Sequence, residues 1–180
     1  MMNELLNVMN VMNVIQNTRH DWLNKIQLIK AYISLGKLDQ AERVINEIIL
    51  DTQNEARLSN MKLPQFAVML LTHNWGKYAF KIEYEIVDNV RTDLVDDAVL
   101  TNWTRSFFDE LNRCANPLFE NHLYITLEQF DDHIHFQFHY NGLLENSSQL
   151  IEWLANEKSF PNAIKIPEIT DSEMVIDVFF

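Results

Sequence analysis

From Leu5 to Ile33 apolar residues recur at alternating steps of three and four: Leu5, Val8, Met12, Ile15, then Trp22, Ile26, Ile29 and Ile33. Such spacing predicts one long helix with a seam of about four heptads, interrupted only by Arg19. Gly36 in "SLGK" can supply a left-handed stop. The stretch "LDQAERVINEIILDTQNEARLSN" then predicts a second helix, with Leu38, Ala41, Ile45 and Ile48 on one face. A joint this short makes the two helices antiparallel neighbours. Because a two-helix hairpin cannot enclose a core alone, the economical expectation is a homodimer, two chains pairing their hairpins into a four-helix bundle. "LGKLDQA" also looks like the turn of a tetratricopeptide repeat, but nothing recurs about 34 residues later, which removes that reading.

After "NMKLP" the periodicity changes, placing a domain boundary near Met61 to Pro64: residues 1–61 as the helical hairpin and 62–180 as a second domain. "PQFAVMLLTHNWGKYA" reads as a helix with proline in its first turn, "FKIEYEIV" as a strand, and "DLVDDAVLTNWTRSFFDELNRCA" as a helix. "NHLYITLEQF" and "HIHFQFHYNG" alternate like a hairpin around an Asp131-Asp132 turn. "SSQLIEWLANEK" follows as a helix and "SEMVIDVFF" as a closing strand. The fold class expected is therefore α+β, the helical hairpin plus an α/β sandwich with a mixed sheet in one layer and helices in the other.

Composition narrows the function classes. With 47% hydrophobic and 22% charged residues among 180, the chain has the makings of a packed core. A formal net charge of −12 disfavours nucleic acid and anionic membrane surfaces as partners. One cysteine, Cys114, rules out an internal disulfide framework and suits a reducing cytoplasm. Neither a signal-peptide pattern nor an apolar run of about 18 residues occurs, so a soluble cytoplasmic protein is expected. The three glycines, Gly36, Gly76 and Gly142, lie too far apart to cradle a phosphate, which argues against nucleotide chemistry through a glycine-rich loop.

Within the first helix, Arg19, His20 and Asp21 stand together with Asn24 one turn on. If Arg19 and Ile26 are heptad a positions, His20 falls at b, off the seam, and shares an outward stripe with Asn24 and Gln27. On spacing alone an ordinary surface histidine is as good a reading. Two features tip the balance: Arg19 occupies a seam position better suited to an apolar residue, and Leu23 and Leu28 make an apolar contact patch beside the histidine. A neutral imidazole nitrogen is a good nucleophile toward phosphorus, and phosphoryl transfer asks the protein mainly for alignment and charge stabilisation. A protruding His20 could enter another protein's site, where metal and donor carboxylate already sit. There Arg19 could steady the phosphoryl charge and Asn24 hydrogen-bond its oxygens.

Arg19-His20-Asp21-x-x-Asn24 resembles the phospho-acceptor helix of two-component histidine kinases. The longer strings "RHDWLNKIQLIKAYISLGKLDQAERVI", "ARLSNMKLP" and "HNW" look like the sporulation initiation phosphotransferase B family of endospore-forming bacteria, across essentially the whole chain. This resemblance implies a dimer whose second domain is a degenerate histidine-kinase ATPase domain. It implies a phosphotransferase that takes a phosphoryl group onto His20 from the aspartyl-phosphate of one response regulator and passes it to the aspartate of a second, a transcription factor controlling sporulation initiation. Asp21 would orient the imidazole tautomer, and Leu23, Gln27 and Leu28 would touch the regulators. No cofactor of the protein's own is implied, the magnesium ion belonging to the regulator. The kinase asparagine box corresponds to "ELNRCANPLF", with Cys114 in the asparagine's place, and the D-x-G-x-G box is reduced to "YNGLL"; autophosphorylation from ATP is not expected. The alternatives are a non-catalytic regulator-binding scaffold and an ATP-dependent sensor kinase.

His133, His135 and His139 alternate with apolar residues on one strand, yet without an evident carboxylate or cysteine set they read as a polar sheet face, not a metal site. His73 and Trp75 read as packing at the domain junction. Cys114, Trp103 and Trp153 read as core.

Overall fold

The computed structural model describes residues 2–87, 95–130, 133–156 and 163–180, and the side chains only from Met12 onward. The side chains of the seam residues Leu5 and Val8 are not described, and Asp93 and Leu94 at the expected helix start, the Asp131-Asp132 turn, and Glu157 and Lys158 fall outside the described residues. The chain divides into two compact units, Met1–Gln53 and Asn54–Phe180. That division lies several residues before the change in sequence periodicity, because the end of the second helix packs into the second unit.

The first unit is a hairpin of α1 (Met2–Ser34) and the larger part of α2 (Leu38–Asn60). Between them Gly36 adopts φ 70°, the Gly36 amide donates to the Ile33 carbonyl at 3.0 Å, and the Lys37 amide donates to Tyr32 at 2.9 Å. These paired bonds satisfy carbonyls that the helix end leaves open, and the left-handed backbone suits a residue without Cβ. Lys25 donates to Asp51 at 2.8 Å across the hairpin. Only Ala41 and Val44 of this unit's described side chains are buried. Its seam residues Met12, Ile15, Trp22, Ile26 and Ile33, with Ile45 and Ile49 of α2, are exposed; Ile26 and Ile33 each show 54% of their surface.

The second unit has two layers. Its five-stranded sheet runs β1 (Lys81–Ile86), β2 (His122–Gln129), β3 (Ile134–Asn141), β5 (Glu173–Phe179), β4 (Ala163–Ile169). β1 and β2 are parallel and the remaining pairs antiparallel. Alternation puts Leu123, Ile125, Leu127, Ile134, Phe136, Phe138, Tyr140, Met174, Ile176 and Val178 on the buried face. The helices α3 (Pro64–His73), α4 (Asp97–Cys114) and α5 (Ser147–Asn156) complete the core with Phe66, Leu70, Trp103, Phe107, Phe108 and Leu150.

Local chemistry sets the helix ends. Asp96 caps α4 by accepting from the Val99 amide at 2.9 Å. The neighbouring Asp97 accepts the first-turn amides of α3, from Gln65 at 2.9 Å and Phe66 at 3.0 Å, supplying the cap that Leu63 cannot. α3 stops at His73, earlier than its apolar pattern suggests, because the Asn74 side chain turns away to bond both the amide and the carbonyl of Ile82. At the end of α2, Asn54 accepts from the Ile86 amide and Arg57 donates to the Ile86 carbonyl at 2.6 Å. With Leu58 fully buried, this ties the last turns of α2 to the second unit.

One strand was not expected from the sequence. β4 carries Pro167 and is mostly exposed, lacking the alternation that marks the others. It is tolerated because it is an edge strand, and its pairing with β5 slips between Lys165 and Glu168, around the proline. His73 also departs from expectation. It lies within the second unit's aromatic core, with ring centroids 4.3 Å from Tyr78 and 4.9 Å from both Phe80 and Phe108.

Candidate functional site

The middle of α1 has neither glycine nor proline, so its backbone continues as helix and holds each side chain in a fixed direction. His20 projects with 73% of its side-chain surface exposed. Asn24, one turn on, places its amide Nδ2 3.1 Å from His20 Nδ1. The Asp21 Oδ1 lies 3.8 Å from the same nitrogen, outside hydrogen-bond range. Nδ1 is thus engaged from its own helix, and Nε2 is the nitrogen left for a visitor. Arg19, Leu23, Gln27 and Leu28 are all exposed as well, as are the seam residues Trp22 and Ile26 of the same helix. This arrangement offers one unburied imidazole, amides that can donate to phosphoryl oxygens, a guanidinium and two apolar contacts.

The outer sheet face of the second unit holds His135 and His139 of β3. His135 Nε2 is 3.0 Å from Asp177 Oδ1 on β5 and its Nδ1 3.6 Å from Glu128 Oε2 on β2. His139 Nε2 is 2.7 Å from Glu173 Oε1. Neighbouring strands thus supply single carboxylate partners that the sequence did not reveal. The carboxylates pair with the rings one by one, and no group of three or more ligands gathers among the described residues.

In "ELNRCANPLF", Cys114 is fully buried at the end of α4, and burial raises its thiol pKa. Asn121, which no sequence motif singles out, organises the loops on either side of it. Its Nδ2 donates to the carbonyls of Ala79, Asn116 and Phe119, and its Oδ1 accepts from the Tyr140 hydroxyl at 2.8 Å and the Leu143 amide at 2.9 Å. Gly142 lies against this side chain: a Cβ there would stand 2.2 Å from Asn121 Oδ1. The lone glycine of "YNGLL" therefore gives clearance to a buried amide.

A family profile described as "Sporulation initiation phospho-transferase B, C-terminal" matches residues 62–180, and one described as "Sensor kinase SpoOB-type, alpha-helical domain" matches residues 1–61. The chain belongs to the sporulation initiation phosphotransferase B family. Within that family it is 34% identical over 118 residues to the sporulation initiation phosphotransferase B of Bacillus subtilis (strain 168), an alignment covering 66% of this chain and 62% of the relative. The alignment thus spans a little under two thirds of the relative's length. Among solved structures, Acinetobacter baumannii histidine kinase AdeS aligns with TM-score 0.47 and 11% identity, over 89% of this chain and 96% of that one. No helix among the described residues is long and apolar enough to cross a membrane.

Proposed function

We propose that this family member is a phosphorelay phosphotransferase of sporulation initiation. It accepts a phosphoryl group on His20 from a response-regulator aspartyl-phosphate and delivers it to the aspartate of a second response regulator. The observation that carries the reading is the His20 ring, exposed in mid-helix with Nδ1 held by its own helix, which leaves Nε2 as the nitrogen for transfer. The Nε2 lone pair forms a bond to phosphorus as the bond from phosphorus to the donor carboxylate oxygen breaks, its electron pair leaving with that carboxylate. Reversal toward a different carboxylate completes the relay. The regulator brings the carboxylate and the divalent cation; Arg19 offsets charge on the transferring group, and Leu23, Gln27 and Leu28 meet the regulator's surface.

The exposed seam of the first unit supports a homodimer, because a continuous apolar stripe on both helices is stabilised by a second copy. Two such hairpins make a four-helix bundle with His20 outside it. Asn121 supports a loss of nucleotide use in the second unit. The segment that a kinase keeps glycine-rich and mobile is here pinned at Gly142 and Leu143 to a buried side chain. The protein works in the cytoplasm, on protein partners and not on nucleic acid or membrane.

Incubation with radiolabelled ATP alone should leave the protein unlabelled, and incubation with a phosphorylated response regulator should label it. His20→Ala should abolish that labelling while the variant retains its helix content and oligomeric state. Label retained on the alanine variant, or obtained from ATP alone, overturns the proposal.

A further inference from the structure

The carrier reading leaves open how the nucleophilic nitrogen is kept ready, and the contacts of Nδ1 bear on that question. A neutral imidazole has one N–H and one lone pair, and the group hydrogen-bonded to one nitrogen decides which nitrogen holds the proton. In His20 the bonded group is the Asn24 amide at 3.1 Å, with its Nδ2 toward Nδ1, whereas the Asp21 carboxylate stands at 3.8 Å. An Nδ2–H donated to Nδ1 requires a lone pair there, so the proton sits on Nε2. In that state the nitrogen facing a visitor has no lone pair for phosphorus.

The geometry points to Asn24 as a reversible selector of the His20 tautomer, a positioning residue that masks Nε2 at rest and unmasks it when a phosphoryl group arrives. An asparagine amide can present either a donor or an acceptor by turning about its terminal bond; an aspartate can only accept. A half-turn brings Oδ1 to Nδ1 and swings Nδ2 outward. The ring then gives its Nε2 proton to water, takes one from water on Nδ1, and donates that N–H to Oδ1. The same turn aims Nδ2 at solvent, where a phosphoryl oxygen would accept from it. Arrival of the anion and exposure of the Nε2 lone pair therefore favour one another. At attack, the positive charge gained by the ring is shared with the Nδ1–H that Asn24 Oδ1 accepts. Asp21, one position along the helix, contributes its charge from a distance and does not choose the tautomer.

This inference rests on the carrier reading for its purpose but not for its test. Nitrogen-15 NMR of the 180-residue protein gives the ratio of the two neutral His20 tautomers with no phosphoryl donor present. Wild type should hold mainly Nε2–H. Asn24→Ala should lower the ratio of Nε2–H to Nδ1–H about fivefold, as loss of one hydrogen bond implies, and Asp21→Asn should leave it within about twofold, since Asp21 Oδ1 at 3.8 Å is outside hydrogen-bond range of Nδ1. Both positions are exposed on a helix, and circular dichroism checks that the variants fold. Phosphoramidate ion, a small donor from which Nε2 displaces ammonia, should label His20 of Asn24→Ala faster than wild type by about the same factor. A purely structural Asn24 would not accelerate that step. An unchanged ratio in Asn24→Ala, a shift produced by Asp21→Asn instead, or slower labelling despite a shifted ratio each overturns the selector. Failure of wild-type His20 to be labelled by a phosphorylated regulator counts against the carrier reading alone, because the tautomer ratio stands without it.

Discussion

Replacing His73 by phenylalanine should flatten the protein's acid sensitivity. His73 is only 5% exposed, stacked on Tyr78 at 4.3 Å, and its Nε2 has no hydrogen-bond partner among the described residues. Burial lowers its pKa from 6.5 to about 4, assisted by the charge of Lys81 and opposed by a hydrogen bond with the Phe80 backbone. The depressed value means that the unfolded chain binds this proton more readily than the folded one. Stability from a neutral His73 is complete above pH 6.5, declines as pH falls, and is fully lost once pH drops below about 4. At 1.36 kcal/mol per pKa unit, the shift of 6.5 − 4 corresponds to about 3 kcal/mol in total, of which about 2 kcal/mol is gone at pH 5. His73→Phe keeps an aromatic ring against Phe80 and Phe108 and carries no titrating group. Urea unfolding at pH 7.5 and pH 5, followed by tryptophan fluorescence at fixed protomer concentration, gives the comparison. Wild type should lose about 2 kcal/mol more than the variant between those pH values. All other titrating groups are common to both proteins and cancel in the difference. Parallel losses would show that His73 is already protonatable in the folded state and would refute the reasoning.

Three further outcomes are expected. Gly142→Ala should destabilise the protein by about 2–3 kcal/mol in the same urea assay, because the new methyl overlaps an Asn121 side chain whose five bonds prevent retreat. Ile26→Glu, placing a charge in the exposed seam of α1, should convert a dimer to monomer in analytical ultracentrifugation with helix content largely retained. Asp97→Ala should cost about 1 kcal/mol by uncapping the first turn of α3, and Asp97→Asn should recover part of it; equal losses in the two would rule out the cap.

The helical hairpin was legible because its apolar seam persists over many turns, and because a Gly36 stop between two periodic runs has few other meanings. His20 and Asn24 were likewise visible together, four apart on a helix with no break. The relative distances of Asn24 and Asp21 from Nδ1 were not visible, since they depend on rotamers and not on spacing. β4 was missed because Pro167 and a polar, mostly exposed sequence erase the alternation by which β2, β3 and β5 declare themselves. The partners of His135 and His139 lie 42 and 34 residues away on β5, so only strand order brings them together. Asn121 gave no local signal, its role arising where three loops and a strand end converge.

The borders of the sheet carry a consequence for how this molecule meets others. Along the outer side of β1, Ile82 has its amide and carbonyl taken by Asn74, and Ile86 has the same groups taken by Asn54 and Arg57. At the opposite border Pro167 has no amide to offer and the register is displaced. A stray extended peptide finds little backbone to zip onto at either rim, so the second unit resists templated growth into fibrils. Any visitor must then be recognised through side chains, which leaves the uncovered helical stripes as the more sociable part of the chain.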